Sequence, residues 1–356
     1  MNIDRRNADS MRIAHLAPLF LPIPPRLYGG AERVISLLVE EQVRRGHDVT
    51  LFASGDSVTG GRLVPVGRHA LWHGGEESNT ALTSFLHTAM FSEAYQRADE
   101  FDIIHSHYDY YALPFARSTA RPTVSTLYGR LDEEHLTDIY RRLSGPAFVS
   151  ISRAQWAPLK DLGLHWAGCV PCAVPVTSYQ YHPEPGKYLL FVGRIAPEKR
   201  PDLAVQVARA AGLPLKVSGV VHRPYRDYWD NEIRPLFESN DVEYVGEISD
   251  SEKSELYGGA LATLFPSDWP EAFGLVMVES LACGTPVIAL DRGAVREVIQ
   301  DGVHGFIRAD GRGMAAAVPR LREIDRSVCR QRSLDFTPER MALAYESIYS
   351  RLPDPR

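Results

Sequence analysis

The chain has 356 residues, 44% hydrophobic and 24% charged, with a formal net charge of −6. That length exceeds one small core and suits two domains, the composition excludes a disordered chain, and the acidic balance argues against a nucleic-acid binder. No apolar run approaches the roughly 18–20 residues of a membrane span, and the opening "MNIDRRNADS" lacks the apolar stretch of a secretory signal, so a frayed terminus and a cytoplasmic protein are expected.

Strand and helix signals then alternate. "MRIAHLAPLF" opens as a strand, and "AERVISLLVEEQVRRG" carries Val34, Leu37, Leu38 and Val43 at a helical period before Gly46 ends it. "HDVTLFAS", "FDIIHSH", "RPTVSTLYG" and "AFVSIS" are short buried strands, with helices predicted over "SFLHTAMFSEAYQRA" and "EEHLTDIYRRL" between them. Cys169 and Cys172 form a C-x-x-C among Pro171 and Pro175, with no helix after it and no second Cys/His pair nearby. They are expected to be packing cysteines at a strand end rather than a redox or zinc site. "PVTSYQYHPEPGK", 175–187, has neither period and is the predicted linker. The alternation then restarts with "YLLFVGR" and runs through "LPLKVSG", "VEYVGEI", "LATLFPS" and "PVIAL", with helices between. "TPERMALAYESIYSRL" is a last helix, capped by Thr337 with Pro338 at its first position.

This order predicts two α/β domains with doubly wound parallel sheets, which bind ligands beyond the carboxyl ends of their strands. The chemically suggestive residues fall there. Gly29 and Gly30 follow the first strand and open a helix, where bare backbone can approach an anion; an ordinary tight turn would look the same. Arg194 and Lys199 lie in the loop after "YLLFVG" and suit a diphosphate, although Lys199 alone would pass for surface charge. Glu271 and Glu279 bracket "AFGLVMV", with a helix expected to start around Phe273, Gly274 and Leu275. Glu271 then sits in the preceding loop. Glu279 sits inside the helix among apolar residues, where an acid needs a partner. Tyr108, Asp109, Tyr128 and Arg130 follow strands of the first domain and suit a hydroxylated acceptor, or plain surface.

Together these segments resemble the retaining family 4 glycosyltransferases. "EAFGLVMVE" is similar to their E-x7-E, "VGRIAPEK" to their G-R-x(4)-K and "YGGAE" to their amino-terminal G-G-x-E; "LACGTPVIA", "VGEISDSEK" and "DGVHGF" also match, in order, over about Met11 to Tyr349. The resemblance implies a GT-B fold: two facing Rossmann-like domains, 11–178 for the acceptor and 179–335 for the nucleotide sugar, with a final helix, 336–352, crossing back onto the first. It implies that Arg194 and Lys199 bind the donor diphosphate and that Gly29, Gly30 and Gly193 let backbone approach it. Glu271 would hold a sugar hydroxyl, the amides of Phe273, Gly274 and Leu275 would line the way to the phosphate, and Glu279 would take the ribose. Val245 would lie beside the base, and His107 would match a histidine near the cleft, while His105 reads as a strand-end polar residue. Two departures stand out. Tyr128, in "TLYG", replaces a histidine often placed beside the transferred sugar, and "VPCAVP" replaces V-P-N-G-x-D.

The expected reaction moves a sugar from a UDP- or GDP-type donor to a hydroxyl of a sugar-like, lipid-linked or natural-product acceptor, with retention. The departing phosphate would take the acceptor proton, and electrostatic stabilisation of the leaving diphosphate would carry catalysis. No cofactor is expected, and without a D-x-D no tightly held metal. "HRPYRDYW", 222–229, could meet the nucleotide or a membrane headgroup. The rival uses of these residues are a nucleotide-sugar epimerase, a glycoside hydrolase with paired carboxylates, and a non-catalytic nucleotide-sugar or glycan binder.

Overall fold

The computed structural model describes residues 10–72, 80–142 and 145–353; the terminus expected to be frayed falls on residues 1–9, outside them. The chain divides into two compact units, one of Met1–Ala173 with Pro338–Arg356 and one of Val174–Thr337.

The first unit is built on a 7-stranded parallel sheet of β1 (Arg12–Leu16), β2 (Asp48–Ala53), β3 (Arg62–Pro65), β4 (Ile103–Ser106), β5 (Thr123–Leu127), β6 (Ala147–Ser150) and β7 (Trp166–Cys169), in the order β3-β2-β1-β4-β5-β6-β7. Chain order reverses between β1 and β4, where His15 pairs in register with His105 and Leu16 with Ser106. In doubly wound sheets, ligands bind beyond the strand ends at such a reversal. Helix Gly30–Arg44 covers one face through Val34, Ile35, Leu38 and Val39, all at most 2% exposed. Each such side chain contributes about 1.5–3 kcal/mol relative to exposure.

The final helix, Pro338–Tyr349, belongs to this unit and packs on helix Gly30–Arg44. Arg45 grips Glu346 through two hydrogen bonds of 2.6 and 2.8 Å, and His47 adds a third contact at 3.0 Å. Burial would raise the Glu346 carboxyl, but Arg45 and His47 outweigh it and hold the group below its ordinary value.

The second unit carries a 6-stranded parallel sheet of β8 (Tyr188–Val192), β9 (Leu215–Ser218), β10 (Val242–Gly246), β11 (Ala260–Phe265), β12 (Val287–Leu290) and β13 (Gly305–Arg308), ordered β10-β9-β8-β11-β12-β13. Its reversal lies between β8 and β11. The linker expected at 175–187 leads into β8 through a short turn, Val176–Ser178.

β3 and β13 have no counterpart in the sequence reading, which met β7 only as the strand end expected to carry the cysteines. β3 and β7 are edge strands with no fully buried residue, whereas β1 and β5 are buried along almost their whole length. Segment 223–237 is a chain of short helical turns in which Trp229 packs on Phe237 and Tyr244, with centroids 5.6 and 4.8 Å away. Cys169 ends β7 and Cys172 is buried just beyond it. Burial pushes the Cys172 thiol up, the opposite of what a redox-active cysteine needs. No helix among the described residues is long and apolar enough to cross a membrane.

Candidate active site

The reversal in the second sheet brings together two loops 72 positions apart. Gly193 and Arg194 leave β8, and Lys199 closes the short turn Pro197–Lys199 that leads into helix Pro201–Ala211. The loop after β11 carries Ser267, Trp269 and Glu271 to helix Leu275–Ala282. Lys199 Nζ lies 2.5 Å from Glu271 Oε2 and 4.8 Å above the Trp269 ring. The same carboxylate oxygen accepts from Ser267 Oγ at 3.1 Å and Trp269 Nε1 at 2.9 Å. Burial works to raise the Glu271 carboxyl, yet the Lys199 charge and these donors prevail, so it is held below its ordinary value and ionised.

Arg194 gives Nη2 to Glu198 Oε1 at 2.9 Å, and its guanidinium lies 5.7 Å from the centre of the Tyr225 ring. Its buried Nε has no acceptor among the described residues. Thus the cation pair read from the sequence is present, each member steadied by a carboxylate that the spacing alone did not assign to it.

Glu271 is fixed from behind. Ala294 N donates to its carbonyl at 2.9 Å. Gly293, at φ +52°, runs so close that a Cβ there would stand 2.3 Å from both N and O of Glu271. Gly274, at φ +94°, caps helix Leu275–Ala282, and a Cβ on it would lie 2.6 Å from Met277 Cε. The left-handed conformation favours glycine at both positions, and at Gly293 the approach to backbone atoms requires it, whereas the Met277 methyl beside Gly274 could move aside. The helix therefore begins at Leu275, with Gly274 as cap and Phe273 before it. Phe273 turns its ring into the core against Phe336, 5.6 Å away, which leaves its backbone amide to the loop.

Glu279 is one turn into this helix and 3% exposed. Lys253 Nζ donates to Oε1 at 2.9 Å and Tyr257 OH to Oε2 at 2.8 Å. The partner that a buried acid requires is therefore Lys253, on helix Asp250–Gly258. Sequence reading missed it because a lysine in "DSEKSE" looks like ordinary surface charge. Val245 is half-buried on β10.

In the first unit, Gly29 caps helix Gly30–Arg44 at φ +143°, and Gly30 is its exposed first residue. His107 is 2% exposed, and both its ring nitrogens are occupied: Nε2 by His15 Nδ1 at 2.8 Å and Nδ1 by the Tyr128 hydroxyl at 3.1 Å. His105, fully buried, bonds Tyr349 and Thr126, in keeping with a structural role. One nitrogen from each of His15, His105 and His107 falls within 4.8 Å of the others, a spacing a metal ion would accept. However, His15 and His107 spend the facing nitrogens on each other, and His105, its ring tilted 34° from that of His107, spends both of its nitrogens on Tyr349 and Thr126. The ring nitrogens of the cluster are therefore committed to hydrogen bonds.

Tyr108, Tyr111 and Tyr110 stack in sequence, with centroid spacings of 4.3 and 4.8 Å. Between them in the chain, Asp109 is held at φ +35°, a left-handed conformation that costs a residue with a side chain about 1–3 kcal/mol. Burial pushes its carboxyl up to about 6, against the pull of the Tyr128 and Gly129 amides. Its buried Oδ1 has no partner among the described residues. Arg130 is committed to Asp132 through bonds of 2.7 and 2.6 Å.

Residues 180–325 match the family described as Glycosyl transferases group 1, and residues 28–174 match Glycosyltransferase Family 4. The chain is 26% identical over 349 residues to a phosphatidyl-myo-inositol mannosyltransferase of Mycolicibacterium smegmatis, covering 88% of this chain and 86% of that one. A D-inositol 3-phosphate glycosyltransferase of the same organism is 26% identical over 329 residues, covering 78% and 75%. The structure of Anabaena HepE in complex with UDP and glucose superposes with a TM-score of 0.74 at 18% identity, covering 96% of this chain and all of that one. One glycosyltransferase family matches each unit, and the two parallel sheets match in fold: the chain belongs to the family 4 glycosyltransferases and has their two-domain GT-B architecture.

Proposed function

We propose that this glycosyltransferase moves a hexosyl group from a UDP- or GDP-type sugar to a hydroxyl of a cyclitol, sugar, lipid-linked or natural-product acceptor, with retention. The observation that carries the reading is the Lys199–Glu271 pair set beside the N-terminal end of helix Leu275–Ala282. In this reading Lys199, Arg194 and the amides at Gly274 and Leu275 stabilise the charge that builds on the departing diphosphate. Glu271 holds a sugar hydroxyl, Tyr128 stands beside the transferred sugar, and Glu279 takes the ribose. The departing phosphate accepts the proton of the attacking hydroxyl, so no side chain is needed as base. The mannosyl- and inositol-directed names of the relatives support a hexose and a polyhydroxylated ring, and the UDP complex of HepE supports a pyrimidine donor.

With UDP-glucose and GDP-mannose supplied in turn, release of free nucleotide on adding myo-inositol or inositol phosphate is the expected result. Isomerised donor with no released nucleotide would overturn the transferase reading in favour of an epimerase.

On the acceptor side, Asp109 and the tyrosine stack offer a hydrogen-bonding carboxyl among aromatic faces. Because its folded-state pKa is raised from 3.8 to about 6, the stability that its protonated form contributes is fully present below about pH 4 and lost as pH rises through 6. Asp109→Asn should therefore gain stability relative to wild type between about pH 4 and 6, by roughly 1–3 kcal/mol, and hold that gain above pH 7. Urea unfolding across this range checks it; a pH-independent difference would remove Asp109 as the titrating group.

A further inference from the structure

Gln42 projects from helix Gly30–Arg44 into the core and is fully buried. Its Oε1 lies 2.7 Å from His15 Nε2, and its Nε2 donates to the Tyr349 hydroxyl at 3.4 Å. A carbonyl oxygen only accepts, so His15 carries its proton on Nε2. Burial pushes His15 down to about 4, which keeps the ring neutral and makes Nδ1 an acceptor. His107 Nε2, 2.8 Å away, must then donate to it. Burial holds His107 neutral as well, so its Nδ1 is left accepting, and the Tyr128 hydroxyl at 3.1 Å must donate inward. Tyr128 therefore offers only lone pairs to anything outside.

The other end of the amide fixes the second arm. Tyr349 accepts from Gln42 and gives its own proton to His105 Nδ1 at 2.7 Å. If His105 donated instead, a buried phenolic proton would have no acceptor. His105 Nε2 then donates to Thr126 Oγ1 at 2.7 Å, and the Tyr345 hydroxyl lies 2.9 Å from the same oxygen. Turning the one amide over would reverse both arms.

We infer that Gln42 is a positioning residue that sets the hydrogen-bond polarity of Tyr128, so that Tyr128 selects hydrogen-bond-donating groups, a sugar hydroxyl above all, over carbonyl or phosphate oxygens. The functional half rests on the reading that Tyr128 stands beside the transferred sugar; the relay does not.

The test has two arms. In protein carrying 15N-labelled histidine at neutral pH, long-range 1H–15N spectra should show His15, His105 and His107 as neutral rings protonated on Nε2. Gln42→Met should turn the His107 signal into a mixture of tautomers. Gln42→Glu, which accepts at both ends, should move His105 alone to Nδ1–H and keep the fold testable if the methionine variant unfolds. A wild-type His107 protonated on Nδ1, or one unchanged in Gln42→Met, overturns the relay.

The second arm reads kcat/KM for UDP-glucose as UDP release. Gln42→Met and Tyr128→Phe should each lower it about 3- to 10-fold, and the double variant should be no worse than Tyr128→Phe alone, because Gln42 acts through Tyr128. Multiplying effects overturn that route. The expected tautomers with an unimpaired Tyr128→Phe would leave the relay standing and overturn the placement of Tyr128 at the sugar.

Discussion

Lys199→Ala lowers the turnover of nucleotide sugar by roughly 10²–10³-fold, the effect expected when one preorganised donor to developing charge is removed. Two losses combine. The diphosphate loses a cation beside the Leu275–Ala282 helix end. Glu271, whose burial already works against ionisation, also loses the charge that outweighs it. Its carboxyl should climb toward or above the ordinary range, so the residual activity of Lys199→Ala should depend on pH in a region where wild type is flat. Arg194→Ala should fall in rate without this added pH dependence, because Arg194 pairs with Glu198 rather than Glu271. Rate measurements on both variants from pH 5 to 8, with melting temperatures to confirm folding, make the comparison. Undiminished transfer in both would remove the diphosphate grip from the mechanism.

Glu279→Ala carries the largest expected stability effect. The Lys253 and Glu279 side chains are 13% and 5% exposed, and removing Glu279 leaves the buried Lys253 ammonium only the more exposed Asp250 at 3.4 Å. Such losses run to about 3–5 kcal/mol. The Tyr257 hydroxyl, buried beside them, loses its acceptor as well. The double change Lys253→Met with Glu279→Gln should recover most of the stability by removing both charges, yet leave the affinity for UDP impaired if Glu279 takes the ribose. Chemical denaturation and calorimetric titration with UDP separate the two. A Glu279→Ala variant of wild-type stability would mean that the pair is solvated rather than buried.

Much of this molecule could be read before its structure. β8 and β12 are continuous apolar runs, and the alternation of such short strands with helices points to a parallel fold with sites at strand ends. Glu271, Lys199 and Arg194 were legible through the spacing of the segments that carry them, since Lys199 alone passes for surface charge. What was not legible depended on long-range pairing. Nothing in the sequence joins Lys253 to Glu279, 26 positions away, or Gln42 to Tyr349, 307 positions away, because each looks locally like an ordinary polar helix residue. Edge strand β3 was invisible for the opposite reason: without a buried face it has no periodic signal.

The close passage of Gly293 behind Glu271 has a consequence for transplanting specificity between relatives. Glu271, the acid proposed to face the donor sugar, is held in place by the chain leaving β12, not by its own loop alone. Exchanging residues 267–274 as a cassette would carry the side chains but not the surface they rest on. A working graft would have to include 291–294, with glycine kept at 293, because any larger residue there would displace the carboxylate without altering a single group in the exchanged loop.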